Sequence, residues 1–180
     1  MKIGAIHYLN AQPLYFGLQE LIPDAQLSTG TPSQIAAQMR QHHIDVGIVP
    51  VAALPTLKDT TILQSSCIAS RGAVRSVLLV SNVPPEQIRT LGLNTDSETS
   101  NALCSIILRE VYENDPDCFL CRPDVRLLHR NLDAMVIIGD QALALDTSLY
   151  PYVLDLGACW TQLTGLPMVY AVWVGRGQGA

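Results

Sequence analysis

The sequence predicts an α/β fold, and three observations carry that expectation. Short apolar runs alternate with segments of helical spacing. Two of these runs, Asp45 to Val51 and Asp133 to Asp140, are continuous apolar strands of the kind buried on both faces of a parallel sheet. Asp45 to Pro50 and the Asp133 run each set an aspartate before an apolar strand that ends in a turn residue, which suggests two analogous α/β halves without a repeat of fixed period. The chain has 180 residues, 48% of them hydrophobic and 15% charged, which is enough apolar material for two small lobes.

The elements follow in order. Lys2 to Tyr8 reads as a strand closed by Asn10 and Pro13, and the segment through Leu14, Phe16, Leu18, Leu21 and Ile22 as a short helix. Gln26 to Ser28 reads as a strand. Thr31-Pro32-Ser33 resembles a helix start, with Ile35, Ala36, Met39 and Ile44 on the apolar face and an end near His42 or His43. After the Asp45 strand, a second set of elements opens near Arg75. Ser76 to Ser81 is a strand, Pro84 to Arg89 a helical turn, and Leu91 to Asn94 a short strand. A helix capped by Ser97 or Thr99 then carries Leu103, Ile106, Ile107, Leu108 and Val111 at helical spacing until Asn114-Asp115-Pro116 stops it. The Asp133 strand delivers Gly139 and Asp140 to a loop. Thr164 to Trp173 is a final strand before a glycine-rich tail, Gly175 to Ala180.

Composition excludes several function classes. Eleven Lys+Arg against sixteen Asp+Glu give a net charge of -5, which argues against a nucleic-acid partner. No apolar run approaches the roughly 20 residues that span a bilayer, so no membrane partner is expected. The start lacks the apolar core and cleavage site of a secretory signal, so a cytoplasmic location is expected. Five cysteines without framework spacing fit reduced thiols. Cys118 and Cys121 form a lone CxxC, and His42-His43 lie too close together to complete a zinc site from one helical face, so two ordinary thiols are expected there. The signatures of triad hydrolases, nucleotide-binding loops and zincins are missing.

Ligands of open α/β sheets bind beyond the carboxyl ends of the strands, which singles out four groups: Tyr8-Leu9-Asn10, Arg75-Ser76, Thr95 to Ser100, and Gly139-Asp140-Gln141. Hydroxyls and free N–H groups at a helix start suit a carboxylate or phosphate, and they equally suit a helix cap. Asn10 can orient a carboxylate or simply fix its turn. Asp140 is open between a catalytic role and loop fixing, and His7 between acid–base work and plain packing.

Tyr8-Leu9-Asn10 with Pro13-Leu14, the Asp45 strand, Arg75-Ser76-Val77, Ser97 to Leu103, Gly139 to Leu143, and Trp160 with Thr164-Gly165-Leu166-Pro167 through Trp173 occur in one order. Together they resemble the chorismate dehydratases of the futalosine route to menaquinone. The Tyr-Leu-Asn start separates this pattern from the related dihydroxynaphthoate synthases. The resemblance implies a two-lobed type II periplasmic-binding-protein-like fold with a cleft between lobes, residues 1–72 plus 152–180 forming lobe 1 and 73–151 lobe 2. It implies a lyase that removes water from chorismate to give 3-[(1-carboxyvinyl)oxy]benzoate, with no metal or organic cofactor. Asn10 is then the catalytic residue, and Tyr8, Ser76, Ser97, Thr99, Ser100, Gly139 and Asp140 bind substrate.

The chain departs from the family pattern at Asn94, usually aspartate, at Glu98, often arginine, and at Met168, commonly phenylalanine. Glu98 is expected to remove positive charge from an anion site. Family chains also continue past Trp173 with helices that cover the first lobe. A bare face there would mark a homo-oligomer interface, a missing segment, or a shortened inactive product. An inactive homologue and a non-catalytic small-anion binder of the same fold are the alternative readings.

Overall fold

The computed structural model describes residues 1–129 and 131–177 and separates into two compact units. The first unit comprises Met1–Ala69, Asp96–Thr99 and the chain from Val169 on, and the second Ser70–Thr95 and Ser100–Met168. Gln178, Gly179 and Ala180 of the expected glycine-rich tail lie outside the described residues.

In the first unit, β1 (Lys2–Ile6) pairs in parallel with β2 (Gln26–Gly30) on one side and β3 (Val46–Pro50) on the other. β10 (Met168–Arg176) lies antiparallel to β3, and β4 (Thr60–Ser70) completes the order β2-β1-β3-β10-β4. The Asp45 run is therefore buried in a mixed sheet, not a wholly parallel one. The link from β1 to β2 is a 3-10 turn over Leu9–Leu14 and the four-residue α1 (Leu18–Leu21) in place of one short helix. It leaves Phe16 90% and Leu21 80% exposed, so the apolar residues of this segment do not share one buried face.

α2 (Pro32–Arg40) links β2 to β3. Its start is a capping box: Gln34 N–H donates to Thr31 Oγ1 at 3.4 Å and Thr31 N–H to Gln34 Oε1 at 2.9 Å, with Pro32 as first helical residue. Ile35 and Met39 are wholly buried and pack with Ile44, Val49 and Val174. On the opposite sheet face Ile3, Ala5, Ile48, Ala171 and Trp173 form a second cluster that Ile6, at the strand end, and Ala11 complete.

The second unit repeats the arrangement of three parallel strands beside an antiparallel one, with a different chain order. β6 (Thr90–Asn94) pairs in parallel with β7 (Asp117–Cys121) and β8 (Ala134–Ile138), β5 (Val77–Ser81) runs antiparallel to β8, and β9 (Tyr152–Asp155) flanks β5. The order is β7-β6-β8-β5-β9. Here β6 reaches β7 through α3 (Glu98–Tyr112), which buries Leu103, Cys104, Ile107 and Leu108. α4 (Gly139–Leu143) begins directly after β8, so Gly139 and Asp140 open a helix where a loop is expected. α5 (Leu156–Thr164) follows β9 without a break; Asp155 caps its start and Gly165, at φ 72°, ends it.

Because β9 hydrogen-bonds to β5, the chain returns to the first unit at Val169, whereas the resemblance places that return near Tyr152. Among the described residues no helix is long and apolar enough to cross a membrane.

Candidate functional site

The residues singled out from the sequence fall at the carboxyl ends of the parallel strands of their own unit. In the first unit Tyr8 precedes the 3-10 turn after β1, and Ala11 N–H donates to its carbonyl at 2.9 Å. His7 is exposed and meets the Tyr8 ring edge-on, with centroids 4.7 Å apart. Asn10 sits within the turn with its side chain exposed. Among the described residues its amide makes no hydrogen bond, so it does not fix the turn.

Thr31 follows β2, and Ala52 lies in the 3-10 turn after β3 (Val51–Thr56). The segment Asp96–Thr99 is anchored to these loops. Ser33 N–H donates to the Asp96 carbonyl at 3.1 Å, and Ala52 N–H donates to Thr99 Oγ1 at 3.1 Å. Glu98 Oε2 accepts from Arg40 Nη2 at 2.6 Å, and Arg40 Nε donates to Thr56 Oγ1 at 2.8 Å. Arg40 and Glu98 thus balance each other in a half-buried pair, which takes up the Arg40 cation and leaves no net positive charge there, in line with the expectation drawn from the glutamate. Ser97 and Thr99 are 5% and 3% exposed. Ser97 directly precedes α3, and the Thr99 oxygen already accepts one hydrogen bond.

In the second unit Gly139 N–H donates to the Ser76 carbonyl at 2.8 Å, so the residue before β5 is tied to the one after β8. Ser76 is 5% exposed; Gly139 has φ 60°, a left-handed conformation that glycine adopts without a Cβ penalty. Asp140 is exposed in the first turn of α4, where a carboxylate suits the helix dipole. Ser100, 3% exposed, lies in the first turn of α3.

That turn is fixed by a reciprocal pair. Asn94 N–H donates to Asn101 Oδ1 and Asn101 Nδ2 to the Asn94 carbonyl, each at 2.8 Å. Asn94, 1% exposed, also donates its amide to the Val136 carbonyl at 3.3 Å. An ionised aspartate offers no donor for that carbonyl, which accounts for the asparagine here.

Two residues outside the expected set shape these loops. Arg40 supplies the cation beside Glu98. Asp155 accepts backbone hydrogen bonds from Val74, Arg75 and Ala158. The sequence signal for Asp155 was an aspartate placed ahead of a nine-residue helix that ends at a glycine.

The CxxC cysteines both lie on β7, three residues apart, so strand alternation sends them to opposite faces. Burial pushes the thiols of Cys118 and Cys121 up. Among the described residues no group of three or more His, Cys, Asp or Glu side chains is arranged to hold a metal.

The family model described as menaquinone biosynthesis matches residues 1–179. A chorismate dehydratase of Campylobacter jejuni is 28% identical over 95% of this chain and 66% of its own length. A chorismate dehydratase of Thermus thermophilus is 25% identical over 97% of this chain and 69% of its own. The chain thus spans about two thirds of the length of these relatives. A crystal structure of an Archaeoglobus fulgidus protein superposes with a TM-score of 0.73 at 13% identity, covering 99% of this chain and 69% of that one. The periplasmic aliphatic sulphonate binding protein of Escherichia coli gives 0.59 at 17%, covering 98% and 64%. These likenesses establish the fold as periplasmic-binding-protein-like, type II. With a match over nearly its whole length, the chain belongs to the menaquinone biosynthesis family.

Proposed function

We propose that the chain is a chorismate dehydratase of the futalosine route, a hydro-lyase that converts chorismate to 3-[(1-carboxyvinyl)oxy]benzoate. The observation that carries this reading is the similarity to two chorismate dehydratases over at least 95% of the chain. The exposed, unpaired amide of Asn10 supports it, since an asparagine that does no work in its own turn is available to a ligand.

In the proposed reaction the ring C–H bond beside the enolpyruvyl ether breaks, the neighbouring hydroxyl leaves as water, and the ring becomes aromatic. Aromatisation supplies much of the driving force, so the protein's task is to hold the dianion and stabilise developing charge. The substrate's own enolpyruvyl carboxylate takes the ring proton and gives it up to the departing hydroxyl, so that one water is lost in all, and Asn10 orients that carboxylate by donating from Nδ2. Tyr8, Ser76, Ser97, Thr99, Ser100, Gly139 and Asp140 contribute to substrate binding. The Thr99 hydroxyl, whose oxygen accepts from Ala52, donates its proton to a substrate oxygen.

Purified chain mixed with chorismate is expected to form the enolpyruvyl benzoate, followed by chromatography. Asn10→Asp places a carboxylate against the substrate's and is expected to cut turnover by about a hundredfold or more. Wild-type turnover in that variant removes Asn10 from the mechanism. Binding of chorismate without product makes the chain a binder of small carboxylates.

A further inference from the structure

Arg75 has φ 63°, a left-handed conformation that costs a non-glycine residue strain unless its surroundings enforce it. The backbone leading into it is held by the carboxylate of Asp155, eighty residues further along the chain. Val74 N–H lies 3.0 Å from both carboxylate oxygens, and Arg75 N–H donates to Oδ2 at 2.7 Å. Successive N–H groups in a turn that contains a left-handed residue form a concavity suited to an anion, and here a side chain of the protein accepts the two that lead into Arg75. Oδ1 also accepts Ala158 N–H at 3.0 Å, which caps α5. The turn thus hangs from the start of a helix.

The residue after this turn is Ser76. Its carbonyl receives Gly139 N–H at 2.8 Å, and Val77 is already paired with Ile138 in the sheet. Ser76 is therefore held from its far side by β8 and α4, and on its near side it adjoins the Arg75 turn. A left-handed residue one position before Ser76, which itself leads into β5, sets the angle at which the chain approaches the strand, and so the direction of the next side chain.

We propose that Asp155 is a positioning residue for Ser76: by accepting the Val74 and Arg75 N–H groups it holds the left-handed turn that aims the Ser76 hydroxyl at the substrate. The inference rests on the chorismate reading for the identity of that substrate, and on the geometry of this unit alone for the link between Asp155 and Ser76.

Asp155→Asn separates this role from helix capping. Asparagine caps helices as well as aspartate does, so its remaining oxygen keeps Ala158 satisfied while its NH2 group faces the Arg75 N–H, donor against donor. The α5 amides are expected to stay protected from hydrogen exchange, the Val74 and Arg75 amides to exchange at least about tenfold faster, and the Ser76 resonances to shift. On chorismate, kcat/KM is expected to fall about tenfold to a hundredfold, carried mainly by KM. The Ser76→Ala, Asp155→Asn double variant is expected to be no worse than Ser76→Ala alone, since the two residues act as one unit. Losses that multiply in the double variant, or Ser76 resonances that stay in place, overturn the proposal. If the wild-type chain neither binds nor converts chorismate, the functional reading falls, and the Ser76 resonances still decide the link to Asp155.

Discussion

The two units share one plan down to single residues, and they differ in how one sheet face is covered. Asp45 and Asp133 hold equivalent places just before β3 and β8. Asp45 N–H donates to the Lys2 carbonyl and its Oδ2 accepts Lys2 N–H at 2.7 Å; Asp133 N–H donates to the Thr90 carbonyl and its Oδ2 accepts the N–H groups of Arg89 and Thr90 at 2.8 and 2.9 Å. Gly4 and Gly92 are the third residues of β1 and β6, and each lies under the side chain one before that aspartate, Ile44 or Leu132. The difference lies after the first strand. The second unit spends that connection on the fifteen-residue α3, while the first spends it on a 3-10 turn and the four-residue α1. The first unit is left with an open groove of about 750 Å³ lined by Ile3, Leu14, Leu18, Ile22, Leu63 and Trp173. A common arrangement of strands thus does not secure a common degree of burial, because burial depends on the length and apolar stripe of the connecting segments.

The largest test of that comparison is truncation at equivalent second residues of the first strands. Leu91→Ala is expected to cost ~3–4 kcal/mol and Ile3→Ala ~2–3 kcal/mol, because a site beside an open groove loses fewer contacts. Urea denaturation of both variants checks it, and equal losses break the distinction.

Next in size are the glycines. A Cβ at Gly4 meets Ile44 Cδ1 at 2.5 Å and Ile35 Cγ2 at 3.2 Å, both side chains locked in the core. A Cβ at Gly92 meets Leu132 Cδ1 at 2.8 Å, and Leu132 is only half-buried and free to yield. Gly4→Ala is expected to destabilise by ~2 kcal/mol and Gly92→Ala by ~1 kcal/mol, read from thermal midpoints.

The aspartates give the smallest and most pH-sensitive contrast. Asp133→Ala is expected to cost ~2 kcal/mol and Asp45→Ala ~1 kcal/mol, following two backbone donors against one. Burial alone would raise the Asp133 carboxyl, but the hydrogen bonds from Arg89 and Thr90 prevail and hold it below its ordinary value. A depressed value in the folded state means that the unfolded chain takes up the proton first on acidification. The Asp133 contribution is then whole above pH ~4 and fades as pH falls through the folded value. The gap between wild type and Asp133→Ala is expected to close in acid denaturation series below that pH, and a gap that persists there shows that the carboxylate is not its source.

How legible all this was depends on whether a segment's neighbours are near in sequence. The Asp45 and Asp133 strands, the Thr31 cap and the length of α3 follow from local pattern, and the structure keeps them within a residue or two. β4 and β7 gave no strand signal, because each lies at a sheet edge with most of its residues exposed and carries no apolar alternation. α5 was missed because its apolar residues run on from β9 without a turn between them. At the site, the candidate positions Asn10, Ser76, Ser97 and Thr99 were visible as polar residues at strand ends. The residues that hold the neighbouring loops were not: Arg40 beside Glu98, Ala52 beside Thr99 and Asp155 beside Val74 and Arg75 each lie between about forty and eighty residues from the group they bind, where spacing carries no information.

The sequence by itself determined the α/β class, the twin aspartate-headed strands and the family, all of which rest on apolar periodicity and ordered short motifs. Only the tertiary structure decided that Glu98 is paired with Arg40, that Asn94 donates to Val136, and that Asp155 accepts the Arg75 N–H. Periodicity reports which face of a segment avoids water, whereas a hydrogen bond needs two groups within about 3 Å, and it is the fold that brings such distant residues together.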